Sequence, residues 1–99
     1  MYGKREAKDF ARANMHGIWA AALTPFKTDL SLDEVGFRQN IEHWIGDLGI
    51  EGLFISGKQG EFFSMSVEER KRTFDVAVAA TKNAGGTMMS CSDQNLDTV

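Results

Sequence analysis

Three short apolar runs, at residues 18–23, 53–55 and 87–91, alternate with two stretches that each open on a Ser-x-x-Glu pattern and carry a helical apolar face. No other feature constrains the fold as strongly. A strand, a helix and a second strand in that order form the right-handed crossover of a parallel sheet. In the first run, Ile18-Trp19-Ala20-Ala21-Ala22-Leu23, apolar residues continue without alternation until Thr24-Pro25 stops them, which predicts a strand buried on both faces. Ser31-Leu32-Asp33-Glu34 then reads as a capping box, with Ser31 accepting from the Glu34 amide and Glu34 reaching back. Phe37, Ile41, Trp44, Ile45 and Leu48 recur at spacings of three and four, and Gly49 supplies a left-handed terminator.

The second unit repeats this logic. Leu53-Phe54-Ile55 forms a buried strand, and Ser66-Val67-Glu68-Glu69 a second capping box. Phe74, Ala77, Val78 and Thr81 share a face, and Gly85-Gly86 ends the helix before a third strand from Thr87 to Cys91. Asp93 and Asn95 offer caps for another helix that would carry Leu96 and Val99. Residues 4–14 favour helix with a thin face of Ala7, Phe10 and Ala11, so residues 1–16 read as a surface extension. The fold class is therefore α/β. Strands apolar on both faces need helices on both sides or closure into a barrel, and three strands cannot close. Two architectures fit: the first three strand-helix units of a (β/α)8 TIM barrel, or a small open sheet.

Composition narrows the partners. The 99 residues are 42% apolar and 25% charged, as in globular domains, and a net charge of −3 with dispersed lysines and arginines gives no footprint for nucleic acid or an anionic membrane. The N-terminal residues lack the apolar core of a signal peptide, no run reaches membrane-spanning length, and a single cysteine fits a reducing compartment. The reading is a cytoplasmic chain.

In parallel α/β folds the ligand site lies beyond the carboxyl ends of the strands. Here those ends are Thr24-Pro25-Phe26, Ser56-Gly57-Lys58-Gln59-Gly60-Glu61 and Cys91-Ser92-Asp93. The second is the richest. Gly57 and Gly60 can take positive φ and expose amide hydrogens, which beside a lysine ammonium suit a carboxylate or phosphate oxygen. The loop has neither the Gly-x-x-x-x-Gly-Lys pattern of a P-loop nor the Gly-x-Gly-x-x-Gly pattern of a dinucleotide site.

With Thr24-Pro25 after the first strand, Gly57-x-x-Gly60-Glu61 after the second and Ser66-Val67-Glu68-Glu69-Arg70 opening the helix, residues 17–99 resemble the dihydrodipicolinate synthase and N-acetylneuraminate lyase superfamily. These are class I lyases and aldolases that form a Schiff base with pyruvate or another 2-oxo acid. The resemblance implies a (β/α)8 barrel, of which residues 17–99 would be the N-terminal part, and no cofactor. It implies a 2-oxo acid substrate, with an aldehyde as possible second partner, and a homo-oligomer, a tetramer by family habit. It also implies a carboxylate anchor made of Gly57, Lys58, Gln59, Gly60 and Glu61. The family usually carries hydroxylic residues between the two glycines, whereas Lys58 and Gln59 keep a donor at both positions and add a charge. The Schiff-base lysine and the catalytic tyrosine would lie beyond Val99, so no catalytic residue is assigned within the chain. The alternative is a small open α/β module that holds an anion without chemistry.

Other residues have plainer readings. Lys58 is not read as the imine-forming amine, because a glycine-rich loop offers neither desolvation nor a neighbouring cation to activate it. Glu61 is read as bracing its own loop by accepting from backbone amides. Cys91 is read as a small buried strand residue and not a nucleophile. His16 and His43 have no ligand-spaced partner, so no metal site is assigned. Phe37 and Trp44 belong to the core, while one of the adjacent Phe62 and Phe63 lines the site or a subunit contact.

Overall fold

The computed structural model describes residues 3–82, 85–93, 95 and 97. Its helices and strands alternate in the expected order. Helix α1 (Lys4–Asn14) precedes strand β1 (Trp19–Ala21), helix α2 (Glu34–Glu42), strand β2 (Gly52–Ile55), helix α3 (Val67–Thr81) and strand β3 (Gly86–Met89). The sheet is parallel in the order β1-β2-β3, with Trp19 level with Gly52 and Gly52 level with Gly86. All three carboxyl ends therefore meet at one edge of the fold.

Both α2 and α3 cover the same side of this sheet. Ala22, Leu53 and Ile55 from the strands meet Phe37 and Ile41 from α2 and Val76 and Ala77 from α3 in one buried cluster, with Trp44, Ile45 and Phe74 packed at its margin. Phe37, Ile41, Leu53, Ile55 and Ala77 are wholly removed from solvent. At roughly 1.5–3 kcal/mol for each large apolar side chain buried, this cluster is the main stabilising term. Glu34 and Arg72 add a paired contact between the helices, with Arg72 Nη2 3.0 Å from Glu34 Oε2. The hydrogen bond from Arg72 holds the Glu34 carboxyl below its usual range, so whatever this exposed pair contributes is present at neutral pH and lost on acidification.

The opposite side of the sheet is open, which corrects the expectation of strands buried on both faces. Strand β1 is shorter than predicted: Ile18 and Leu23 fall outside it and are 71% and 61% exposed, and Ala21 within it is also exposed. Trp19 shields this side at the amino end, its ring lying across Gly52 and Gly86, where a Cβ would come within 2.5 Å of the ring.

The helix boundaries show which local signals held. Ser66 and Glu69 form the predicted capping box, Glu69 N donating to Ser66 Oγ and Ser66 N to Glu69 Oε1, each at 3.1 Å. The first box does not form. Ser31 instead turns back on Asp29, to which its amide and hydroxyl both donate, and Asp33 caps α2 by accepting from Gly36 N at 3.0 Å. Helix α2 runs into a single π turn, His43–Asp47, closed by Leu48 N donating to His43 O, before Gly49 reverses the chain at φ +69. Leu48 leaves the apolar stripe and is exposed. Helix α3 ends earlier than Gly85-Gly86, on Lys82 in the left-handed conformation, and its Val78 faces outward. Strand β3 starts at Gly86 and stops at Met89, so Cys91 is an exposed residue past the strand and not a buried member of it. Asp93 Oδ1 accepts from Asn95 N, while Leu96 and Val99 of the expected following helix lie outside the described residues.

Candidate functional site

Strand polarity brings the three predicted loop ends together. Ala22 N donates to Phe54 O and Ser90 N to Ile55 O, each continuing the sheet by one bond past the regular strands. The loop after β2 is then fastened from the β1 side, where Thr24, almost fully buried, donates its hydroxyl to Gly60 O at 2.8 Å. Thr24-Pro25 is therefore more than a strand terminator. It holds the 57–61 loop in place.

Within the loop, Glu61 N donates to Lys58 O and Phe62 N to Gly57 O, forming a compact turn. Gly57 and Gly60 are buried, whereas Lys58, Gln59 and Glu61 point into solvent. Among the described residues, the backbone amides of 57–60 donate to no protein acceptor. A run of uncommitted amides beside a lysine is the chemistry that receives an anionic oxygen.

The glycines serve a different purpose from the one expected. Positive φ occurs at Ser56 (+54) and Glu61 (+60), not at Gly57 or Gly60. Close approach explains both glycines instead. A Cβ on Gly60 would stand 3.0 Å from Ala22 O and 3.1 Å from Ser56 N and Cα, and one on Gly57 would stand 2.5 Å from the Phe54 ring. Glu61 does not brace the loop through its carboxylate, which accepts no hydrogen bond among the described residues; its backbone does, with Ser64 N donating to Glu61 O.

Sequence reasoning missed Ser56. It is fully buried and left-handed, and among the described residues its hydroxyl has no partner. A non-glycine residue in that conformation costs roughly 1–2 kcal/mol, and an unpaired buried hydroxyl roughly 1–3. Glycine would remove both costs while adding up to about 1 kcal/mol of chain entropy. Ser56→Gly should therefore raise the urea midpoint of unfolding by the equivalent of about 1 kcal/mol or more. An unchanged or lower midpoint would mean that the hydroxyl and backbone are not strained.

Arg70, in the opening turn of α3, joins the remaining strand end to the loop. Its Nη1 donates to Ser92 O at 2.9 Å and its Nη2 to Asp93 Oδ2 at 2.6 Å. The guanidinium carbon lies 5.8 Å from the centre of the Phe62 ring, and Phe63 meets that ring edge-on while remaining mostly exposed. Phe62, Phe63, Arg70 and Asp93 line a small cavity of about 110 Å³.

A larger cleft of about 910 Å³ opens at the amino ends of the strands, between α1 and the Trp19 side of the sheet. Its polar groups are largely paired with one another: His16 lies 3.3 Å from Glu51, Trp19 Nε1 donates to His16 O, and Asn14 to Phe10 O. It lies at the end of the strands opposite the loop. The second histidine, His43, pairs with Asp47 at 2.8 Å. Among the described residues no three His, Cys, Asp or Glu side chains gather as metal ligands, and no helix is long and apolar enough to cross a membrane.

Comparison with known proteins agrees with this geometry. The sequence model of the Dihydrodipicolinate synthetase family matches residues 14–87. An N-acetylneuraminate lyase of Fusobacterium nucleatum is 34% identical over 83 residues, covering 84% of this chain and 29% of that protein. One from Clostridium perfringens is 40% identical over 68 residues, covering 69% and 24%. Among solved structures, the F. nucleatum lyase complexed with pyruvate superposes with a TM-score of 0.78 at 33% identity, over 85% of this chain and 29% of that one. YagE from E. coli K12, a prophage protein of the dihydrodipicolinic acid synthase family in complex with pyruvate, superposes at 0.77 with 29% identity, over 83% and 27%. The chain thus spans about a quarter of the length of these relatives. From the strand order, the Gly57-x-x-Gly60-Glu61 loop and these matches together, the chain belongs to the dihydrodipicolinate synthetase family.

Proposed function

We propose that this chain supplies the carboxylate anchor of a class I lyase or aldolase acting on a pyruvate-type 2-oxo acid. The observation that carries the reading is the free-amide turn at 57–60, set with Lys58 at the carboxyl end of the central strand and fastened by Thr24. Lys58 and the amides receive the carboxylate, Gln59 adds a neutral donor, Gly57 and Gly60 let the backbone close up, and Glu61 sets the turn. The imine-forming lysine and the proton-transferring tyrosine lie beyond Val99, with no cofactor required.

Residues 17–99 form the first three strand-helix units of a (β/α)8 barrel in this reading, with residues 1–16 as an appended helix. The open apolar side of the sheet supports it, since a barrel interior would cover Leu23 and Met88, both exposed here. The natural protein is a cytoplasmic homo-oligomer, most simply a tetramer, with an aldehyde as second partner. The pyruvate bound in two family members supports the substrate class.

Backbone amide chemical shifts of the natural polypeptide, followed by NMR while pyruvate is added, test the anchor. The amides of 57–60 should move together and saturate, leaving α1 unaffected. Shifts confined to the cleft between α1 and Trp19 would refute the assignment.

A further inference from the structure

We infer that Arg70 is a positioning residue for the anchor loop, transmitting the placement of the segment after β3 to the turn at 57–61. The inference rests on the proposed function for its consequence, but on geometry for its origin. Arg70 leaves the first turn of α3 with its side chain only 11% exposed. One guanidinium edge grips Ser92 O and Asp93, and the group also lies against Phe62. Phe62 directly follows the turn, and its amide closes that turn by donating to Gly57 O at 3.3 Å. Thr24 fixes the same loop from the β1 side. The central loop is thus held from both neighbouring strands, by one neutral hydrogen bond and one largely buried cation.

The charged joint is the stronger of the two, because bonds to an ionised partner exceed neutral ones and a partly desolvated cation over an aromatic ring adds to them. Lysine cannot replace it fully. A single ammonium could reach Asp93 but has no planar fork to hold Ser92 and Asp93 while facing the ring. Among the described residues the buried Arg70 Nε has no acceptor, so this geometry is kept despite one donor they leave unsatisfied.

Two measurements on Arg70→Met and Arg70→Lys in the natural polypeptide test this. Amide hydrogen exchange at Glu61 and Phe62 should accelerate about tenfold in Arg70→Met, less in Arg70→Lys, with the sheet amides of Ala22 and Leu53 unchanged. The half-saturating pyruvate concentration in imine trapping should rise about tenfold in Arg70→Met, more than the limiting rate falls, with Arg70→Lys between it and wild type. Wild-type exchange at Glu61 and Phe62, equal acceleration in loop and sheet, or a limiting rate that falls alone would each overturn the inference. A wild-type protein that traps no pyruvate would refute the proposed function alone, and the exchange pattern would still decide whether Arg70 holds the loop.

Discussion

Gly60→Val should destabilise the protein by roughly 1.5–4.5 kcal/mol, combining overpacking of about 1–3 kcal/mol with loss of the buried Thr24 hydrogen bond, about 0.5–1.5 kcal/mol. The cause is what surrounds the site. A Cβ at Gly60 meets Ala22 O on one side and Ser56 N and Cα on the other, so no side chain can swing aside and the loop itself must move. Gly57→Val should cost less, because its obstacle is the edge of the Phe54 ring, on the open side of the sheet where the ring can turn away. Urea unfolding of both variants checks the order. Equal losses, or a larger loss at Gly57, would show that conformation and not crowding selects the glycines.

Lys58→Ala should have the largest effect on ligand binding with the least on stability. A charge-assisted contact to a carboxylate is worth about 1.5–3 kcal/mol, which is roughly tenfold to a hundredfold in the concentration of 2-oxo acid required. Lys58 is exposed and supports no core, so its melting temperature should stay near wild type. Gln59→Ala should weaken binding less, as a neutral donor contributes less. The concentration dependence of imine trapping, run beside a melting curve, separates the two effects. An unchanged dependence for Lys58→Ala would leave the loop as a turn between strand and helix.

The parts of this account legible in the sequence are those set by local chemistry. The Ser66–Glu69 box could be read directly, because both of its bonds close within three residues. Strand order and polarity followed from alternation of apolar runs with helices. The Ser31 box failed because a nearer carboxylate, Asp29, captured its hydroxyl, leaving Asp33 to cap the helix. The glycines were placed correctly in the loop and misread in purpose. The left-handed residues are their neighbours Ser56 and Glu61, and the crowding at Gly60 comes from Ala22, distant in sequence. The roles of Thr24 and Arg70 were hidden for the same reason, since each acts on a segment more than twenty residues away. The apolarity of β1 was legible, but its burial was not, because helices cover only one side of the described sheet.

Borohydride reduction of the natural polypeptide with saturating pyruvate, followed by peptide mass mapping of the adduct, locates the lysine that forms the imine. One modified lysine is expected, located outside residues 1–99, with Lys58 unmodified. An adduct on Lys58, or no adduct on any lysine, would contradict the proposed function.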